Sequence, residues 1–438
     1  MRNRIAQMMK VAGAGGESAF VFEVVTAGAD TFRPPIYNGG TYDFYMDPGD
    51  GTAVVHITAW DDAAATINYA GAGTYEVKIT GTITGWRFAS AGDRTLIHDV
   101  KSWGPLLLGN LNGYFWGCTN LTVSATDILD ITGMTTFHLF FRDCPALTGV
   151  PGIADWDTSN ILSIGYMFYN CILFNSALTN WDTSSVVGTG FAGTLGGCTV
   201  FNQPLNHFDV SGATDFQYMF INCAAFNQPL NSWDVSGVAN FFSCFSGCAI
   251  FNGNITSWTT TAATSFSHMF NYCKAFNQDI SGFDLNGVTT IYTMFASCWV
   301  FNQDISGWNT STVQDFRDAF NGAKVFNQDI SIWDAGVVTN MYNMFNGALA
   351  FDQDLTDWDI TAVTAPFSMD FMFKSSGMSV ANYSATLIGW EAQAEPTGLT
   401  LGAGVIKYNI GAAAARAQLV LAIGGGGSGW TITDGGPV

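Results

Sequence analysis

Hydrophobic and polar positions recur along this chain with one long, fixed period. From residue 156 onward, an aromatic residue followed by a polar one returns about every 25 residues, and Phe-Asn and Met-Phe pairs return at the same interval. One period reads roughly V-x-x-M-x-x-M-F-x-x-C-x-x-F-N-Q-x-I-x-x-W-D-x-S. Such self-similarity indicates a repeat architecture, in which each unit buries its apolar face against its neighbours. The period predicts about ten stacked coils over residues 93–376.

Stacking brings equivalent side chains of successive coils into rows along the stack. We expect neighbouring coils to pair through short strands about 4.8 Å apart. Three rows follow from the period, one each of tryptophan, cysteine and aspartate. Their main members are Trp156, Trp181, Trp233, Trp258, Trp308, Trp333 and Trp358; Cys223, Cys248, Cys273 and Cys298; and Asp234, Asp284 and Asp334.

The cysteine row is predicted to be buried and reduced. Ala323 and Ala348 take the same position in the last two coils, and alanine can replace neither a metal ligand nor half of a disulfide. The chain also contains no C-x-x-C spacing, which is typical of zinc sites. We therefore expect a packing role and no metal.

The aspartate and tryptophan rows each leave an alternative open. Thr259 and Asn309 replace the aspartate in two coils, so the shared property is a side-chain oxygen that accepts hydrogen bonds in a turn. Calcium binding along this row is the alternative. The tryptophans are expected to pack within the coils, and a platform for sugar rings is their alternative role.

The segments on either side of the repeats have patterns of their own. Alternation at Tyr75, Val77 and Ile79 predicts a half-buried strand. The alanine-rich residues 412–423 predict a short helix, in a segment (residues 377–438) that would cap the open edge of the last coil.

Charge excludes several classes of partner. The chain has 15 Lys and Arg residues against 35 Asp and Glu residues, a net charge of −20, and no Lys or Arg between Arg142 and Lys274. Binding to nucleic acid needs a basic surface that replaces phosphate counterions, so we expect no nucleic-acid partner. The sequence contains no run of 18 apolar residues, and we expect no membrane insertion.

Catalytic chemistry is not predicted. The five Glu residues all lie outside the repeats, at positions 17, 23, 76, 391 and 395. The five His residues stand in unrelated contexts, and no nucleophile, zinc-protease or phosphate-binding motif occurs. We expect no enzyme activity and no cofactor, with a glycan-degrading spike as the enzymatic alternative.

Two resemblances add to this reading. Segments such as FNQPLNSWDVS (residues 226–236) and FNQDIS (residues 301–306) closely resemble the 25-residue repeat of bacterial surface lipoproteins and adhesins, a relative of the BspA-like leucine-rich repeats. FVFEVVT (residues 20–26) and YDFYMDPGDGT (residues 42–52) resemble a PKD-like immunoglobulin-type β-sandwich. The resemblances imply a mainly β chain with a PKD-like sandwich over residues 17–92. A leucine-rich-repeat-like solenoid, opened by a strand within residues 96–104, and a small α/β cap would follow it.

Residues 1–16 form the remaining segment and are predicted to be a docking arm. It carries basic Arg2, Arg4 and Lys10 with apolar Ile5, Met8 and Met9, but no apolar block typical of a signal peptide. The repeats resemble those of exported proteins, yet no signal peptide is predicted. This combination favours a bacteriophage virion protein, a fibre or decoration protein on the virion surface.

Such a protein would be present as a homo-oligomer or in many copies. It would bind other virion proteins through the arm and a glycan or protein of the host surface through its repeats. The alternative is an adhesin or interaction protein on the bacterial surface.

Overall fold

The computed structural model describes residues 18–393 and 396–438. The predicted docking arm, with Arg2, Arg4, Ile5, Met8, Met9 and Lys10, lies outside the described residues. The chain divides into two compact units, residues 1–185 and residues 186–438, called here the N-terminal and C-terminal units. The described residues form a mainly β protein with two short α-helices, as the sequence predicts at this level.

The described part of the N-terminal unit contains nine strands in two sheets. They are β1 (Phe20–Thr26), β2 (Asp30–Phe32), β3 (Thr41–Asp47), β4 (Val55–Ile57), β5 (Ile67–Tyr69), β6 (Gly73–Thr84), β7 (Ile97–Ser102), β8 (Leu106–Leu107) and β9 (Thr122–Val123). The larger sheet has the order β4-β3-β6-β1-β7-β9, with β8 beside β6, and β2 pairs with β5. Short 3-10 helices lie at Ala63–Ala65 and Ile153–Asp155.

Alternation of apolar and polar residues builds the core of this unit. In β1, Phe20, Phe22 and Val24 are buried, and β6 opposite contributes buried Val77 and Ile79. The strand predicted from the alternation around Tyr75 is therefore confirmed. The rings of Phe22 and Phe32 lie 5.7 Å apart, so the second sheet shares this core.

Strand β7 joins the N-terminal sheet to the first repeats. It pairs antiparallel with β1 and parallel with β9, which lies one period further along the chain. The strand predicted within residues 96–104 is thus present. The predicted domain boundary after residue 92 separates β1 from β7, two strands that pair within one sheet.

In the C-terminal unit, backbone hydrogen bonds connect residues that lie 24 positions apart. The N–H groups of Phe216, Tyr218, Phe220 and Asn222 donate to the carbonyls of Asn240, Phe242, Cys244 and Ser246, at 2.9, 3.0, 2.9 and 2.7 Å. Donors at every second residue are the pattern of a parallel ladder. Each repeat is therefore tied to the next by its main chain.

Turns, rather than strands, make up this ladder. Met219 N–H donates to Phe216 O and Cys223 N–H to Phe220 O. These bonds close two consecutive four-residue turns, at residues 216–219 and 220–223. Tyr218 and Asn222, each with φ 58°, occupy the third positions, where a type II turn needs a left-handed residue.

The left-handed residues correct one expectation from the sequence. Short strands were expected in every coil, but in the C-terminal unit the repeats contain only isolated bridges, such as Asp215 with Asn240 and Asp315 with Asn340. A left-handed residue at every fourth position interrupts the extended conformation that a strand requires. The hydrogen bonds between repeats form nevertheless, because every second N–H group of the turns donates to the next repeat.

Two rows of stacked phenylalanine rings fill the core of the C-terminal unit. The first comprises Phe226, Phe251, Phe276, Phe301, Phe326 and Phe351, and the second Phe220, Phe245, Phe270, Phe295, Phe320 and Phe345. Within the first row, consecutive ring centroids lie between 5.9 and 6.2 Å apart. The rows touch, with Phe345 and Phe351 at 3.8 Å. Stacking adds to the free energy gained from burying these rings.

A small α/β segment follows the last repeat. It contains α1 (Val380–Glu391), β10 (Thr400–Gly402), α2 (Ala413–Val420) and β11 (Thr431–Thr433), with 3-10 turns at Ile410–Ala412 and Ile423–Gly425. Trp390 Nε1 donates to Leu355 O at 3.1 Å, and Phe373 N–H donates to Gly402 O in β10 at 2.9 Å. These groups satisfy main-chain atoms that a further repeat would otherwise have bonded. The predicted helix is present as α2, ending before the glycine run.

The left-handed turns predict a position-specific effect of alanine. Gly347 has φ 70°, and a Cβ there would meet nothing closer than Gly322 Cα at 3.7 Å. We expect Gly347→Ala to lower the free energy of unfolding by about 1 kcal/mol through backbone strain alone, measured by urea denaturation.

Gly307 provides the control, because it is exposed, lacks a left-handed φ and has open space around its Cβ position. Gly307→Ala should leave stability unchanged or slightly raised. Equal losses in both variants would contradict the turn assignment.

Candidate functional site

The tryptophan row lies inside the repeats. Trp156, Trp181, Trp233, Trp258, Trp308, Trp333 and Trp358 are all at most 4% exposed. Trp233 Nε1 donates to Leu205 O and Trp258 Nε1 to Leu230 O, both at 2.9 Å, and Trp333 and Trp358 bond the preceding repeat in the same way. These four indoles thus join neighbouring repeats, and burial leaves no ring face of the row available to a sugar.

The cysteine row is also buried and joins repeats through its sulfur atoms. All nine cysteines are free thiols, and the Sγ atoms of Cys223, Cys248, Cys273 and Cys298 donate to carbonyls 28 residues earlier, at 2.9 to 3.0 Å. Burial raises the pKa of each of these four thiols. A thiol held in the protonated form is a poor nucleophile.

The thiols should therefore be unreactive in the folded protein. We expect few of the nine cysteines to react with a thiol reagent under native conditions and all nine to react after denaturation. Recovery of disulfides from correctly folded protein would contradict this arrangement.

The aspartate row forms side-chain-capped turns. Asp234 Oδ1 accepts from Ser236 N at 3.0 Å and from Ser236 Oγ at 2.7 Å, and these bonds lower the pKa of Asp234. Asp284 and Asp334 accept from the backbone two residues on in the same way. A second row that the sequence analysis missed, with Asp279, Asp304 and Asp329, makes the same turn. Within residues 18–393 and 396–438, no group of three His, Cys, Asp or Glu side chains is placed to hold a metal ion.

The turn role predicts how substitutions of Asp234 rank. Asn keeps the acceptor oxygen and Ala removes it, so Asp234→Ala should cost on the order of 1 kcal/mol more than Asp234→Asn. Thermal unfolding of the two variants measures this difference. A calcium site would instead make Asp234→Asn the damaging change, with stability that depends on added calcium.

A different set of aromatic side chains reaches the surface of the C-terminal unit. We call it the aromatic row, and it consists of Tyr218, Phe242, His268, Tyr292, Arg317, Tyr342 and Phe371, one residue from each successive repeat. Consecutive centroids from Tyr218 to Tyr292 lie 5.3, 5.4 and 4.7 Å apart with edge-to-face rings. All members of the row are partly or fully solvent-exposed.

The fold itself does not require rings at these positions. The row alternates between two neighbouring positions of the repeat, which elsewhere in the unit hold Ala192, Gln217, Ser243, Ser267 and Thr293. Small or polar residues therefore satisfy the turn equally well. Because of this alternation no identical residue recurs at a fixed period, and the sequence does not predict the row.

The charges within the row are internally balanced. Arg317 makes bidentate contacts with Asp315, the closest between Nη2 and Oδ2 at 2.6 Å, and its guanidinium lies 4.6 Å from the ring centre of Tyr292. Burial lowers the pKa of His268, which favours the neutral form of its imidazole. The surface thus combines aromatic rings with polar groups and little net charge.

An open cleft of about 320 Å³ lies at the C-terminal end of the row, lined by Arg317, Asn340, Tyr342, Ala365, Pro366, Phe367 and Ser368. An insertion forms one wall. Phe316 N–H donates to Asn340 O, 24 residues ahead, whereas Met341 N–H donates to Ser368 O, 27 residues ahead. The added residues place Phe367 at the rim with 69% of its surface exposed.

A family model described as "Mycoplasma protein of unknown function, DUF285" matches the repeats in overlapping segments, residues 86–193, 135–249, 189–301, 232–322 and 294–391. Together the segments span most of the chain and include the aromatic row and its cleft. The chain belongs to the DUF285 family. No curated protein and no solved structure matches this DUF285 chain. The described part of it has no helix of the length and hydrophobicity that a membrane crossing needs.

Proposed function

We propose that this DUF285 protein is a non-enzymatic attachment protein. Its repeats would form a leucine-rich-repeat-like solenoid that presents the aromatic row to a partner. An immunoglobulin-like, PKD-like sandwich would precede the repeats in the chain, and an α/β cap would follow them. The main support is the aromatic row, which places one solvent-accessible aromatic or guanidinium group on each of seven successive repeats where the turn accepts alanine or serine.

The hydrogen bonding of the aspartate carboxylates in the repeats supports a binding role without catalysis. Hydrogen bonds from Ser159, Ser184 and Ser236 lower the pKa of the aspartates two residues before them, and the same holds for Asp279, Asp304 and Asp329. A glycosidase needs instead a carboxylic acid with a raised pKa. The aspartates of both rows are occupied in turns.

The setting that the sequence favours is the surface of a bacteriophage virion, with the surface of a bacterial cell as the alternative. In either setting the protein would act in many copies, and its partner would be a glycan or protein on the surface to which it attaches. Many copies would raise the avidity of a weakly binding face.

Binding to whole cells tests the proposal. Labelled full-length protein, incubated with a panel of bacterial cells and followed by flow cytometry, should bind at least one strain. Combined Phe242→Ala, Tyr292→Ala and Tyr342→Ala should abolish this binding without unfolding the chain, because Ala192 already occupies the same repeat position.

Trp299→Ala is the matched control, because Trp299 is a 39% exposed aromatic residue outside the row. Absence of binding to every strain, or equal binding by the triple variant, would contradict the proposal. Shortening of cell-surface polysaccharide by the wild-type protein would contradict its non-enzymatic part.

A further inference from the structure

The cleft at the end of the aromatic row offers a mostly apolar surface to a ligand. Its walls are the rings of Tyr342 and Phe367 with Pro366, and Asn340 and Arg317 lie beside them. Its volume of about 320 Å³ is at the lower end of the range for small-ligand sites. Apolar ring faces beside a few hydrogen-bonding groups suit a pyranose, which has apolar C–H faces and a hydroxyl rim.

Two donors in the cleft are held in place yet have no partner among the described residues. Asn340 Oδ1 accepts from Tyr342 N–H at 2.9 Å, which fixes the amide and leaves its Nδ2 group free to donate. Arg317 uses Nε and Nη2 for Asp315, and its Nη1 group makes no such bond. Both residues line the cleft, so a ligand seated against its rings would lie beside them.

Charge selects among the possible ligands. The chain carries a net charge of −20, and Asp315 already neutralises Arg317, the one cation that lines the cleft. An anionic ligand would meet repulsion with no unpaired cation in the cleft to offset it. A neutral ligand pays no such cost.

The row beyond the cleft continues along successive repeats. The rings of Tyr342 and Phe371 lie edge to face at 5.9 Å, and Tyr292 with Arg317 leads on to His268 and Phe242. Because the rings hold one another in place, ordering them on binding costs little entropy. A linear chain of sugars seated in the cleft would meet further rings along its length.

We propose that the cleft binds a sugar unit of a neutral polysaccharide, with the aromatic row contacting the units that follow. This inference rests on the proposed attachment function and names its ligand class. The insertion that carries Phe367 would make this end of the row the point of tightest binding.

An array of immobilised oligosaccharides tests the inference with the full-length protein. Neutral oligomers of glucose, galactose, mannose and N-acetylhexosamines are compared with sialylated and sulfated ones. We expect binding to at least one neutral class, with affinity that rises with oligomer length. Retention only on anionic glycans, or on none, would overturn the proposal.

Substitutions locate the binding on the protein. Phe367→Ala should weaken binding about tenfold, and Asn340→Asp should do the same because it keeps the Oδ1 acceptor but loses the Nδ2 donor. The fold accepts this change, since Asp215 and Asp315 make the same turn at the equivalent position.

Two variants serve as controls and should bind as the wild type does. Asn240→Asp changes the equivalent position of a repeat distant in sequence from the cleft, and Trp299→Ala removes an aromatic residue outside the row. Equal binding by Phe367→Ala and wild type would overturn the site assignment.

Cell binding separates this inference from the attachment function. Periodate oxidation of the cell surface should abolish binding of the wild-type protein. If binding survives periodate but not protease treatment, the ligand is a protein and the glycan inference is wrong while attachment stands. If no cell is bound at all, the attachment function itself is wrong.

Discussion

Main-chain hydrogen bonds between consecutive repeats are the interaction on which the C-terminal unit depends. They fix the register at which one repeat sits on the next, with Phe216, Tyr218, Phe220 and Asn222 bonded to the following repeat. Every side-chain row follows from that register. The phenylalanine rings stack, the indole N–H groups reach backbone carbonyls, and the cysteine sulfurs do likewise only because the main chain repeats its position. A slip by one residue would remove all of these contacts together.

The turn geometry of this ladder divides each repeat into core positions, where the residue type is restricted, and turn positions, where it varies. Buried positions are filled by Phe, Met, Cys or Ala and Trp in nearly every repeat, since each must pack against an identical neighbour. The left-handed positions accept Tyr, Ser, His, Thr, Asp or Asn, and several of them, such as Tyr218 and His268, are partly exposed. The surface can therefore carry a ligand-binding pattern without disturbing the core, which is a general property of repeat scaffolds.

How much of this could be predicted from the sequence varies from feature to feature. The period placed the Trp, Cys and Asp residues at equivalent positions, and the pattern of replacement by Ala, Thr and Asn indicated packing and turn roles. The left-handed turns were not predictable, because Tyr218, His268 and Thr293 are not residues that signal positive φ. The aromatic row escaped because its members shift by one position between repeats. The cleft depends on where an inserted Phe367 points, which only three-dimensional coordinates reveal.

The relation between the cleft and the cap has a consequence for dynamics. Thr400 N–H at the start of β10 donates to Pro366 O, so the loop that forms the cleft wall is bonded directly to the cap. Repeat arrays lose structure from their ends, where each unit has a neighbour on one side only. Opening of the cap would thus dismantle the cleft first, and any molecule bound there would act as a clamp that slows fraying of this terminus. Ligand binding to the cleft would therefore increase hydrogen-exchange protection in β10 and the residues that follow it.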